Sequence, residues 1–338
     1  MTSARGRDEK PAGNGGYGIL GMGMYLPQRV STNAEIAAAA NVTEEWIVAK
    51  TGVLERRRAA VGENTADMAA EAGRRALKDA RETASTPEAV EEPGMLIVAT
   101  STPDRQVPAP VSDVHARIGL GPMPALSLDG GCAGFAQAMV TAEAYHRMGQ
   151  ARTALVVGAH RIENFVVPAD RKTTPLFGDG AGAYMMGPVP SGYGILTSRL
   201  ITDSTFVEAL RTPYRTPDSA GVEPLHMDGY VLVDVFVREI PVLLRQSLDE
   251  VGLTISDIDH LFVHQANVQM VRTLGQALGL APEKVPTSGE WVANTASASL
   301  PISTVMSARE RKIERGDIVA MVTAGAGVSG AVIVMRWY

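Results

Sequence analysis

One thiol, six imidazoles and a few Asn- or Gly-bearing stretches are the groups in this 338-residue chain whose types and spacing could do chemistry. Cys132 is the sole cysteine, which excludes a disulfide within the chain and a Cys-based zinc cluster. It follows an apolar run and Asp129-Gly130-Gly131, and it precedes a helical pattern. A thiol at a helix start meets free N–H groups and the positive end of the dipole, which is expected to lower its pKa and favour the nucleophilic thiolate. The plainer reading of a lone Cys is a small buried hydrophobe. His264 ends the apolar run 260–263 and opens Gln265-Ala266-Asn267. Parallel sheets place ligands at such strand ends. His115, His146, His160 and His226 read as surface or satisfied core groups and His260 as structural, with no partner at metal-ligand spacing. Asn294 precedes a small-residue helix, as an N-cap or as a neutral donor aimed at a reacting oxygen. The backbone N–H groups of Gly325-Ala326-Gly327 could cradle an oxyanion. The stretch 177–183 (FGDGAGA) has neither the frame of a dinucleotide fingerprint nor the Lys-Ser/Thr of a phosphate loop.

The elements that must position these groups alternate. Strand-like runs occupy 16–24, 95–100, 125–128 and 154–158, with helical patterns over 66–80 and 133–148 and a polar loop over 81–94. The second half repeats the cadence, with a helix over 237–251, a loop over 254–259, a strand over 260–263, a helix over 298–313 and a strand over 317–323. Such alternation predicts a mostly parallel sheet covered by helices. The repeat predicts two similar halves meeting near 188–194, so that residues 1–15 form a disordered tail, 16–190 the half with the thiol, and 191–338 the half with His264 and Asn294.

Composition narrows the class. The chain is 45% hydrophobic and 20% charged with net charge −6, and its longest basic run is Arg56-Arg57-Arg58. An ordinary folded protein fits, and a nucleic-acid binder does not. No apolar stretch approaches membrane-span length and the N-terminus lacks the core of a secretory signal, so a cytoplasmic location is expected.

DGGCAGF, FGDGAGA, LFVHQAN and ANTASAS, in this order, resemble the 3-oxoacyl-acyl-carrier-protein synthase III family of the thiolase superfamily, as does the segment 44–58, EEWIVAKTGVLERRR. The intervals fit as well: His264 lies 132 residues after Cys132, and Asn294 lies 30 after His264. The resemblance runs from about residue 16 to the C-terminus. It implies an α/β fold of five layers, αβαβα, in two pseudo-symmetric halves, and a homodimer. It implies that Cys132 is acylated by an acyl-CoA, that His264 and Asn294 serve the decarboxylative condensation with a malonyl thioester on a carrier protein or CoA, and that the backbone N–H groups of Cys132 and Ala326 form the oxyanion hole. Trp46, Lys50, Arg171, Gly229, Ala266 and Asn267 would bind CoA or substrate. Val107 matches a position at the floor of the acyl pocket that some members fill from the partner subunit. No metal or redox cofactor is implied.

The departures from the family pattern are Lys50 for Arg, Tyr230 for Asn, Ala324 for Phe and Ala326 for Gly. Asp234, Gln269, Gln276 and Ala277 stand where the family docks its acidic carrier protein with basic groups, though Arg238 and Arg272 remain nearby. These leave fatty-acid initiation and natural-product biosynthesis both open. The alternative activity is transfer of the acyl group to a hydroxyl or amine of a small molecule.

Overall fold

The continuous apolar run at 95–100 becomes a strand with both faces covered, as its lack of alternation requires. The computed structural model describes residues 15–84, 91–213, 225–310 and 313–338; the expected tail, Gly15 apart, and part of the loop at 81–94 lie outside them. The strands run β1 (Gly16–Tyr25), β2 (Arg29–Thr32), β3 (Glu55–Arg58), β4 (Leu96–Ala99), β5 (Ala125–Leu128), β6 (Ala154–His160), β7 (Gly180–Val189), β8 (Gly194–Thr202), β9 (Leu210–Arg211), β10 (His226–Met227), β11 (His260–Val263), β12 (Ile318–Gly325) and β13 (Ser329–Arg336). The α-helices are α1 (Asn33–Ala40), α2 (Glu44–Thr51), α3 (Thr65–Thr83), α4 (Pro110–Ile118), α5 (Gly134–Arg147), α6 (Gly229–Glu250), α7 (Val268–Ala277), α8 (Gly289–Val292) and α9 (Ser299–Glu310).

Among the described residues two large sheets form, in the orders β1-β7-β6-β4-β5 and β8-β13-β12-β11. Read side by side, the first four strands of one correspond to the four of the other. β6 and β4 are parallel neighbours, as are β12 and β11, and the remaining pairings of these strands are antiparallel. β5 has no counterpart. The fold is thus made of two similar halves, with mixed sheets rather than the mostly parallel ones expected.

The cores define the layers. Phe135, Met139 and Ala142 of α5 and Leu300 of α9 pack between the sheets, against Ile97 and Val156 on one side and Phe262, Met321 and Ile333 on the other. The outer face of the first sheet is covered by α3 and α4, and that of the second by α6 and α7. The result is the five-layered αβαβα arrangement. Fully burying one such aliphatic or aromatic side chain contributes about 1.5–3 kcal/mol, so these layers carry most of the stability. No helix among the described residues is long and apolar enough to cross a membrane.

Most boundaries shift by one to three residues from the sequence reading, and two helix ends are instructive. Helix α6 starts at Gly229, eight residues before the expected 237, because the Asp228 side chain accepts from the N–H groups of Tyr230 and Val231 and caps it there. Helix α9 ends at Glu310 rather than at 313, with 311–312 outside the described residues.

The Gly-rich stretch at 177–183 is a joint. Asp179 is fully buried; its carboxylate accepts from the N–H groups of Ala59 and Ile162, both at 2.9 Å, and lies 3.9 Å from Arg58. Asp179→Ala strands two buried N–H groups and removes a carboxylate from a buried guanidinium. It should destabilise the chain by about 3–5 kcal/mol, read as a lowered denaturant midpoint.

Candidate active site

Parallel strands leave unpaired backbone groups at their C-terminal ends, and the chemistry-bearing residues collect there. The chain leaves β5 through Asp129-Gly130 and enters a 3-10 turn, Gly131–Ala133, that runs into α5. Gly131 has φ +55, a conformation that side chains resist, and this bend presents Cys132. Thr323 Oγ1, on β12, donates to the Cys132 carbonyl at 3.0 Å and ties the turn to the other half. Gly325 approaches so closely that a Cβ there would stand 2.8 Å from both Cβ and N of Cys132. Gly325→Ala should therefore displace the nucleophile and slow acylation by about 10²-fold, followed by intact-mass kinetics.

His264 directly follows β11, its N–H donating to the Val322 carbonyl at 2.9 Å. Its ring is buried, and among the described residues neither nitrogen has a hydrogen-bond partner. Burial, helped by nearby His160, pushes its pKa down to about 3, so the imidazole is neutral at working pH. Asn294 is held by its backbone, which exchanges hydrogen bonds with Leu176 and Gly178 at 2.9 and 3.0 Å. A Cβ at 178 would lie 2.3 Å from the Val292 carbonyl oxygen, which is why the Gly-rich joint seats this segment. Asn294 Oδ1 accepts from the Ala296 N–H at 2.8 Å, and Nδ2 donates to the Ala266 carbonyl at 3.5 Å. The amide's donor end therefore faces the cavity that His264 lines.

Two cavities meet at Cys132. The narrow one, about 70 Å³, is shared by Cys132, His264, Asn294, Ala266 and Ala324. The wide one, about 480 Å³, holds Cys132, Ala326, Asp129, Ser101 and His160 against the apolar wall of Ile162, Phe165, Val207 and Leu225. At the half-buried thiol, burial opposes the lowering expected from the helix start. Burial pushes it up to about 12, Asp129 adds to the rise, and its own backbone N–H opposes both. The N–H groups at the helix start and the loss of solvent around the sulfur thus act in opposite directions.

The other site residues expected from the sequence fall into four groups. Ala326 borders the wide cavity beside Cys132, and its N lies 3.6 Å from where a Gly131 Cβ would stand. Asn267 caps α7, accepting from Gln269 and Met270, while its Nδ2 donates to the Lys50 carbonyl at 2.9 Å, so it joins α7 to α2. Trp46 is half-buried on α2, whereas Lys50, Arg171 and Gly229 are exposed; none of these four borders either cavity. Val107 is 84% exposed and lines neither cavity of its own chain.

His160, expected as a surface or satisfied core group, is satisfied core, and sequence reasoning gave it no place at the site. It is buried at the end of β6 and borders the wide cavity. The signal was present, because it closes an apolar run just as His264 does.

The description 3-oxoacyl-[acyl-carrier-protein] synthase III matches residues 126–204, and that of the same family's C-terminal part matches residues 248–337. A β-ketoacyl-[acyl-carrier-protein] synthase III from Geobacillus kaustophilus is 38% identical over 95% of this chain and 99% of its own. The crystal structure of the corresponding synthase III from Thermus thermophilus superposes with a TM-score of 0.86 at 36% identity, covering 95% of this chain and 99% of that one. The priming β-ketosynthase of the R1128 polyketide pathway does so with a TM-score of 0.88 at 30% identity, covering 98% of both. With this identity along nearly its whole length, and with thiol, imidazole and carboxamide brought to one point between two matching halves, the chain belongs to the 3-oxoacyl-acyl-carrier-protein synthase III family.

Proposed function

We propose that this chain is a condensing enzyme working through an acyl-Cys132 intermediate, in fatty-acid or polyketide initiation. The observation that carries the reading is the pair of donors around the narrow cavity: a buried, neutral His264 without a hydrogen-bond partner among the described residues, and the Nδ2 of Asn294, both beside the thiol. Cys132 sulfur attacks an acyl-CoA thioester carbonyl, its proton leaves with the CoA thiol, and the oxyanion rests on the N–H groups of Cys132 and Ala326. A malonyl thioester then loses CO2. The electron pair of the broken C–C bond forms an enolate, whose oxygen accepts from His264 and Asn294. The enolate carbon attacks the acyl carbonyl, releasing 3-oxoacyl product and the thiol. Each such donor is typically worth about 2.7–4 kcal/mol to an oxyanion.

A carboxamide at 294 supports condensation over transfer to a hydroxyl or amine, because a carboxylate would suit proton removal but oppose the enolate charge. The Cys–His–Asn set supplies nucleophile and donors, so the proposed cycle draws on no metal or redox cofactor. Trp46, Lys50 and Arg171 are proposed to receive CoA outside the narrow cavity. Where an acidic carrier protein would dock, Arg238 is paired with Asp234 and Glu239, and Arg272 with Glu290. These exposed pairs are weak and can reopen toward a carrier protein. Isotopic malonyl thioester is the direct test: CO2 release with acyl-Cys132 consumption is expected, and acyl transfer without CO2 release would overturn the condensing reading.

The exposed Val107 is proposed to reach the acyl pocket of a second copy in a homodimer. A Val there leaves more room than a Phe, and each added buried methylene is worth about 0.8 kcal/mol. Butyryl- and hexanoyl-CoA should then acylate Cys132 faster than acetyl-CoA, and Val107→Phe should reverse the order in a competition read by intact mass.

A further inference from the structure

His160, the last residue of β6, is hydrogen-bonded to Ser101 on one side and to Ser297 on the other. Its side chain is buried, and Nε2 accepts from the Ser101 N–H at 3.0 Å. A backbone N–H can only donate, so the ring proton sits on Nδ1. Nδ1 then donates to Ser297 Oγ at 3.1 Å, and Ser297 Oγ donates onward to the Ala99 carbonyl at 3.0 Å. Each ring nitrogen thus serves a different side of the site. On the Ser297 side lies the turn Ala296–Ala298, whose first N–H holds Asn294 Oδ1. On the Ser101 side, Ser101 Oγ donates to Asp129 Oδ1 at 2.5 Å, and the same oxygen accepts from the N–H of Gly131, the neighbour of Cys132, at 3.2 Å.

We propose that His160 is a positioning residue that fixes Asn294 relative to Cys132 through the hydrogen bonds of its two ring nitrogens. The turn Ala296–Ala298, which holds Asn294 Oδ1, packs closely on β6: a Cβ at Gly158 would stand 2.8 Å from the Ser297 carbonyl oxygen. The hydrogen bond from the imidazole to Ser297 Oγ ties the same turn to the end of β6. Burial lowers the His160 pKa to about 3, so Nε2 keeps its acceptor lone pair at working pH. The inference rests on the condensing reading, because only condensation needs the thiol and the carboxamide in register.

The test is the ratio of CO2 release to Cys132 acylation in wild type, His160→Leu, Ser297→Ala and the double variant. Each single change should lower the ratio by about tenfold. The double variant should also lose about tenfold, because the two side chains act as one unit. Singles within about twofold of wild type, a double loss that multiplies to about a hundredfold, or equal falls in acylation and CO2 release would overturn the proposal. If His160→Leu does not fold, Ser297→Ala alone decides by the same ratio. A wild type that acylates without releasing CO2 would remove the condensing reading itself, and with it the step assigned to His160.

Discussion

Cys132→Ala should give no acyl adduct with any acyl-CoA and lose turnover by a factor on the order of 10⁴ or more. No second thiol exists to take over, and the sulfur is the one reactive group at the junction of the two cavities. Cys132→Ser should acylate far more slowly than wild type, since a hydroxyl is harder to deprotonate than a thiol already held near 12 by burial. Intact-mass analysis after incubation with an acyl-CoA panel checks both. An adduct that persists on Cys132→Ala would place the nucleophile elsewhere.

Asn294→Asp should acylate within a few-fold of wild type yet condense about 10²–10³-fold more slowly. One carboxylate oxygen can still accept from the Ala296 N–H. The other would replace the donor, facing the Ala266 carbonyl and the forming enolate with negative charge. It would also favour protonation of His264, raising a pKa that burial holds near 3. CO2 release and adduct formation measured on one preparation separate the two half-reactions. Equal loss of both, or loss of neither, would remove Asn294 from the second step.

The alternation of apolar runs and helical patterns announced the two halves, and the strand ends at Cys132 and His264 were readable because sheet geometry puts ligands there. Asn294 reads in the sequence as cap or donor; the cap of the following turn is instead Thr295, while Asn294 Oδ1 accepts from the Ala296 N–H and Nδ2 lies toward the cavity, which leaves the donor reading open. The thiol's pKa was not legible, since local sequence reveals the helix start and not the protein packed over the sulfur. The antiparallel β1, β7, β8 and β13 were hidden for a related reason: an apolar run fixes burial but not direction. The satisfied-core reading of His160 holds, while its partners were not legible: Ser101 and Ser297 lie 59 and 137 residues away and only the fold brings them together.

The shared middle layer has a consequence for anyone who would take the molecule apart. Helices α5 and α9 are buried along most of their length and reach solvent only toward their C-terminal ends, since each sheet supplies one wall. Cut at the turn between Val189 and Gly194, each fragment would carry a sheet and a helix with a bare apolar flank, and half of a reaction centre. The fragments would be insoluble apart and inactive apart, and could recover both properties only together. Turnover in such a split pair would report reassociation, and the enzyme would serve as its own complementation assay.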